Sequence, residues 1–149
     1  MFKILQISDN VDNSCMFDPS KLTGDAIADM SLPYVRQFVA GSGVTIGADG
    51  YVKLATDDDT TIGFTMLDAW GIAFENTPAL ASGILAAVTG GMAETDNVDG
   101  DVVNGARLYV KDGKVTATAP TATARAMGIC TVGNTVAGGA IEYRFSTAY

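Results

Sequence analysis

Val44-Thr-Ile46-Gly-Ala-Asp49-Gly50-Tyr-Val52-Lys-Leu-Ala55, leading to Ile62-Gly63-Phe64, returns as Leu108-Tyr-Val110-Lys-Asp112-Gly113-Lys-Val115-Thr-Ala117, leading to Met127-Gly128-Ile129. The two Asp-Gly pairs lie 63 positions apart (112 − 49) and the two apolar-Gly-apolar stretches 65 apart (128 − 63). The copies therefore align with one small insertion, plus another before the turn. Each reads as strand, tight turn, strand, variable loop, strand. Asp-Gly between alternating apolar residues is the strongest short-range hairpin signal, because a type I′ turn needs φ > 0 at both central positions. A doubled hairpin unit predicts an all-β domain whose surface is built for packing.

The flanking sequence extends that reading. Tyr34–Val39 and Ile84–Val88 are strand candidates, Gly41-Ser-Gly43 and Thr89-Gly-Gly91 turns, and Ala140–Phe145 a closing strand. In that last strand Ile141, Tyr143 and Phe145 share one face, against Glu142 and Arg144 on the other. Gly63 to Phe74 is apolar and expected in a core or interface. Strands at this spacing, with turn signals between them, predict a small barrel or sandwich.

The N-terminal part differs in character. Phe2 to Ile7 partly alternates and is expected to be an arm or an ordinary terminal strand, set apart by the polar, turn-forming Ser8–Ser14. Asp18-Pro19 reads as a helix cap, with Leu22, Ala26, Ile27 and Met30 at helical spacing and Pro33 as terminator. The expected organisation is an arm and short helix over 1–33 and a β-rich domain over 34–149.

Composition narrows the function. With 149 residues, one domain is expected. A hydrophobic content of 48% beside 17% charge suits a protein that hides part of its surface against partners. The net charge of −8 argues against nucleic acid, which needs clustered Lys and Arg. Leu54 to Ala106 holds no basic residue and nine acidic ones, a potential that repels DNA and acidic membranes alike. No signal peptide or bilayer-spanning run is read, so a soluble, cytoplasmically made chain is expected.

Candidate chemistry is sparse. The chain has no histidine, which removes Ser-His and Cys-His catalysis and most zinc sites. Gly41-Ser-Gly43-Val-Thr-Ile-Gly47 is a loose dinucleotide fingerprint, but a hairpin follows it where phosphate binding needs a helix. The loop Glu94–Asp101 is rich in carboxylates, yet an EF-hand count that puts Gly100 sixth puts Ala106 where a bidentate glutamate belongs. Asp57-Asp58-Asp59 reads as a loop tip, and Trp70 as core or interface before sugar platform. Cys130, in an apolar strand, is expected as a buried thiol, with a Cys15–Cys130 disulfide as the alternative. Neither enzymatic activity, cofactor nor metal is expected.

The stretch Asp99-Gly-Asp-Val-Val-Asn-Gly-Ala-Arg-Leu-Tyr-Val-Lys-Asp-Gly-Lys-Val-Thr-Ala-Thr-Ala119, with Ala126-Met-Gly-Ile129, resembles the small cement (head decoration) proteins of tailed bacteriophages. The resemblance covers roughly residues 79 to 145, is fainter in the first unit, and leaves the first forty residues unmatched. It implies a small-barrel or β-tulip-like fold. It also implies a homotrimer on the outside of the virion capsid, bound to the major capsid protein, and no catalytic residues to carry over. In that setting Phe2, Ile4 and Leu5 are expected at the capsid, and Leu67, Trp70 and Phe74 in core or trimer contacts. Another β-module of a phage particle, such as a tail or fibre subunit, is the alternative; a carbohydrate-binding module ranks third.

Overall fold

A computed structural model describes residues 2–7, 11–16, 36–38, 40–48, 50, 52–65, 69–70 and 84–147. Its elements are all strands: β1 Phe2–Ile7, β2 Val11–Met16, β3 Arg36–Phe38, β4 Gly43–Ile46, β5 Val52–Leu54, β6 Gly63–Thr65, β7 Ala69–Trp70, β8 Ile84–Val88, β9 Gly90–Thr95, β10 Val98–Asp99, β11 Arg107–Lys111, β12 Lys114–Thr116, β13 Gly128–Val132 and β14 Ile141–Ser146. The chain is mainly β. The helix expected over Asp18–Met30 lies outside the described residues.

Seven strands form one sheet in the order β1-β9-β14-β13-β11-β12-β10, five form a second in the order β2-β8-β6-β4-β5, and β3 pairs with β7. The sheets do not close into a barrel, contrary to the barrel expectation. They lie face to face, because strands with one continuous apolar face bury it against another sheet. The packing is marked by three rings. Phe64 of the five-stranded sheet stands edge-on to Tyr143 (centroids 5.6 Å apart, planes at 70°) and to Phe145 (5.0 Å, 74°) of the seven-stranded sheet. Around them the core takes in Val88, Ala93, Leu108, Val110, Val115 and Ile141. As alternation predicts, Ile141, Tyr143 and Phe145 are the buried positions of β14.

The repeat proves larger than the hairpin. In the first unit the order β5-β4-β6-β8-β2 matches β12-β11-β13-β14-β9 in the second, strand for strand, with every pair antiparallel. Backbone bonds repeat as well. Gly41 N–H reaches Thr65 O at 2.7 Å as Gly105 N–H reaches Cys130 O at 2.8 Å; Ile62 N–H reaches Val44 O at 2.8 Å as Met127 N–H reaches Leu108 O at 2.8 Å. Both leading glycines have left-handed φ, 84° at Gly41 and 78° at Gly105. Thr89 alone separates β8 from β9, so the expected Thr89-Gly-Gly91 turn is a crossing between sheets.

The two Asp-Gly turns differ. Asp112 (φ 50°) and Gly113 (φ 78°) form the two-residue loop that pairs Lys111 with Lys114. In the first unit Ile46 pairs with Val52 across a five-residue loop, and Gly50 N–H bonds Gly47 O at 2.9 Å. Gly47-Ala48 intervene there, and a glycine with no side chain to pack ends β4 early.

One further expectation changes, and one pair of alternatives resolves. β2 begins at Val11, inside the polar run read as a turn, and pairs with β8 despite a register break between Asp12 and Cys15. Phe2–Ile7 is an edge strand of the seven-stranded sheet, paired along β9, which is the terminal-strand reading and not a free arm. Cys130 is a buried free thiol, which excludes its disulfide with Cys15. Burial pushes its pKa up, against a weaker hydrogen bond from Val132, so the thiolate is disfavoured.

Among the described residues two buried hydroxyls are unsatisfied, those of Thr131 and Tyr143, and the second lies in the core. The Tyr143 hydroxyl is buried without a hydrogen-bond partner, and burial raises the phenol's pKa well beyond its usual range. An orphaned buried hydroxyl costs about 1–3 kcal/mol. Tyr143→Phe is therefore expected to raise the melting temperature, by roughly 2–4 °C if 1 kcal/mol is recovered. A lower melting temperature for the variant would show that the hydroxyl is bonded.

Candidate functional site

Of six exposed large aliphatic side chains among the described residues, four come from the C-terminal unit, against Leu5 and Ile46 elsewhere. Val103 (70% exposed), Val136 (67%), Ile129 (53%) and Val132 (49%) stand out from residues 102–136. Isolated apolar residues on a surface are ordinary; a group of four β-branched ones from adjoining segments is not.

The frame beneath them is rigid. Segment 102–106 runs beside β13 and its continuation, through Cys130 N–H to Ala106 O (2.9 Å) and Asn134 N–H to Val102 O (3.0 Å). Two asparagine side chains lock the far end. Asn134 accepts from Val102 N–H at 2.8 Å and donates to Gly100 O at 2.9 Å, while Asn104 accepts from Gly133 N–H at 2.7 Å. Gly133 is required for this approach, because a Cβ there would strike Val102 O. Val102 is buried in the core, so the next residue, Val103, must face outward. Gly139 N–H to Val136 O at 2.9 Å closes the turn that presents Val136. Shape is therefore fixed in advance, which lowers the ordering cost of binding.

The sequence-expected contact residues distribute differently. Phe2 and Ile4 are half-buried and pack against the core, and Leu5 is exposed. Leu67 and Phe74 lie outside the described residues; Trp70 is placed in β7, where it pairs with Arg36, and its side chain is not described. Sequence reading missed Val103, Ile129, Val132 and Val136. A usable signal existed in Val102-Val103, since neighbouring residues of an extended segment cannot both face one core.

The acidic loops are occupied structurally. Asn97 donates to Gly41 O (3.4 Å) and Gly113 O (3.3 Å), tying the first unit to the second unit's turn. Asp99 pairs with Lys111 at 3.3 Å and Asp59 with Lys53 at 3.0 Å. Asp58 accepts hydrogen bonds from Thr121 and Thr123, which hold its carboxyl below the ordinary aspartate range. Among the described residues no group of three or more His, Cys, Asp or Glu side chains is placed to hold a metal ion. A shallow polar cleft is lined by Asp59, Thr60, Thr61, Arg125, Ser146 and Thr147; its one carboxylate is the partner of Lys53. Among the described residues no helix is long and apolar enough to cross a membrane.

No family model matches the chain, and no curated protein matches it.

Proposed function

We propose that the protein is a non-enzymatic decoration subunit that seats, as a homotrimer, on the outside of an assembled tailed-phage head and cements its major capsid protein. The observation that carries this reading is the framed aliphatic group Val103, Val132 and Val136, set in the unit that carries the resemblance to cement proteins. A preformed apolar patch on a sparsely charged exterior suits a protein partner. The acid surplus suits a surface that never meets the genome.

The energetics of the role are simple. A subunit that binds the closed shell and not free capsid protein stabilises the shell by mass action, by about 3–4 kcal/mol per site at 100–1,000 times Kd. A trimer engages several capsid subunits at once, so effective concentration multiplies weak single contacts. Leu5 adds an exposed apolar side chain on β1, whose outer edge offers backbone groups to a capsid strand.

Val103→Asp combined with Val136→Asp is expected to weaken head binding at least tenfold, about 1.4 kcal/mol, with the free protein's melting temperature unchanged. The assay is co-sedimentation with heads of the phage that encodes the chain, together with the melting temperature of those heads. Unchanged binding removes the patch from the reading. Wild-type protein that neither binds heads nor raises their melting temperature removes the reading itself, and tubes or rods of purified protein would place the chain in a tail.

A further inference from the structure

The two units are equivalent in strand order but do not pack as a symmetric pair. Register places Phe64 opposite Gly43 and Val88, and Ile129 opposite Arg107 and Arg144. Gly63 matches Gly128 in the repeat, so Phe64 and Ile129 are corresponding residues on corresponding faces. Yet the Phe64 face of the five-stranded sheet is covered by the opposite type of face, the one that carries Cys130 and Tyr143 in the seven-stranded sheet. The arrangement is head-to-tail: the second unit covers this face of the first, and among the described residues no further unit of the same kind covers the matching face of the second. The uncovered counterpart is a row across the outer face, Gln6, Met92, Arg144, Ile129 and Arg107, joined as successive cross-strand partners.

Charge marks what fits there. By the same register this outer face holds Lys3, Arg107, Lys111, Lys114 and Arg144, five of the chain's nine bases, and three of its seventeen acids, Glu94, Asp99 and Glu142. All five bases are exposed. The face is thus +2 on a chain of −8, which leaves −10 on the remainder (−8 − 2). Among the described residues a complementary acidic end is the exposed tip Asp57-Asp58 of the β5–β6 loop, where Asp58 also accepts from Thr121 and Thr123. Opposite potentials on different faces of one molecule favour a heterologous contact, which generates rings when the rotation closes.

We propose that the Arg107–Ile129–Arg144 face of one copy receives the acidic Asp57–Asp58 end of a second copy, a heterologous contact between opposite charges. This rests on the self-associating part of the reading above and not on head binding.

Sedimentation velocity of the full chain tests it at low and high ionic strength. Wild-type protein is expected to assemble, with an apparent Kd that rises with salt. Arg107→Glu with Arg144→Glu is expected to raise that Kd at least tenfold while circular dichroism and melting temperature stay unchanged. Adding Asp57→Lys and Asp58→Lys to that variant restores assembly. Assembly unaffected by the arginine reversals, or not restored by the second pair, overturns the contact. Monomeric wild type that still binds heads also overturns it and leaves the decoration reading standing; an assembled protein indifferent to heads does the reverse.

Discussion

Replacing Phe64 with Ala is expected to destabilise the protein by about 3–5 kcal/mol, the cost of removing a buried phenylalanine from a packed core. For a chain of 149 residues this is a fall in melting temperature of roughly 6–20 °C. Phe64 is fully buried and is the ring of the five-stranded sheet that meets both Tyr143 and Phe145. Its loss removes two edge-to-face contacts, each worth about 0.5–1.5 kcal/mol beyond area burial, and leaves a cavity walled by strands that hydrogen bonds hold apart. Phe64→Leu keeps most of the volume and is expected to cost less than half as much. Thermal denaturation followed by circular dichroism distinguishes the two. A fall below about 2 °C for Phe64→Ala would mean that the sheets do not meet at this ring.

The strands were legible where local chemistry and tertiary packing agree. The second unit is the clearest case: alternation in Arg107–Lys111, an Asp-Gly pair with no intervening residue and a Gly-containing third strand all fall where the structure has β11, β12 and β13. In the first unit Gly47-Ala48 lengthens the loop, and no count of apolar residues reveals whether a turn begins one residue early. β2 was hidden because Val11-Asp-Asn-Ser-Cys-Met16 has the composition of a turn; its pairing with β8 is a tertiary decision, made by an edge that the hairpin unit leaves open. Closure into a barrel is likewise unreadable from alternation, which fixes faces and not the partner at the sheet's two ends.

The site was less legible for a related reason. Sequence reading ranks residues by size, and so chose Trp70, Phe74, Leu67 and Phe2. Exposure is instead decided by parity within a strand and by where segment 102–106 lies against residues 130–134. Four exposed aliphatic residues with no motif among them fall in segments that the Asn104 and Asn134 bonds help tie together. The face of Ile129 gained meaning only through its correspondence with Phe64, which depends on the register of both sheets. Duplication could be suspected from two Asp-Gly pairs. That the copies stack head-to-tail could not.

Gly128→Ala is expected to be the more disruptive of two matched glycine substitutions, at about 3 kcal/mol or more, while Gly63→Ala costs about 1–3 kcal/mol. Both glycines open the third strand of their unit, and both face the carbonyl of the neighbouring strand. A Cβ at Gly63 would lie 3.1 Å from Val88 O and 2.9 Å from the Ala87 Cβ; one at Gly128 would overlap Arg144 O and come within 3.1 Å of the Phe145 Cα. The obstacle at Gly128 is backbone in β14, held by β13 on one side and β9 on the other, so it has no rotamer to change. Neither glycine has a left-handed φ, so the cost is steric and not conformational. That distinction is testable, because Gly113 combines φ 78° with a close approach to Leu54, a side chain able to move. If crowding by backbone governs, Gly128→Ala lowers the melting temperature by roughly 6–12 °C and Leu54→Ala leaves it no less damaged, whereas Gly113→Ala is partly relieved by Leu54→Ala. Equal, small losses at Gly63 and Gly128 would show that β14 yields, and that the apolar-Gly-apolar signature of the repeat is not imposed by the approach of the adjacent strand.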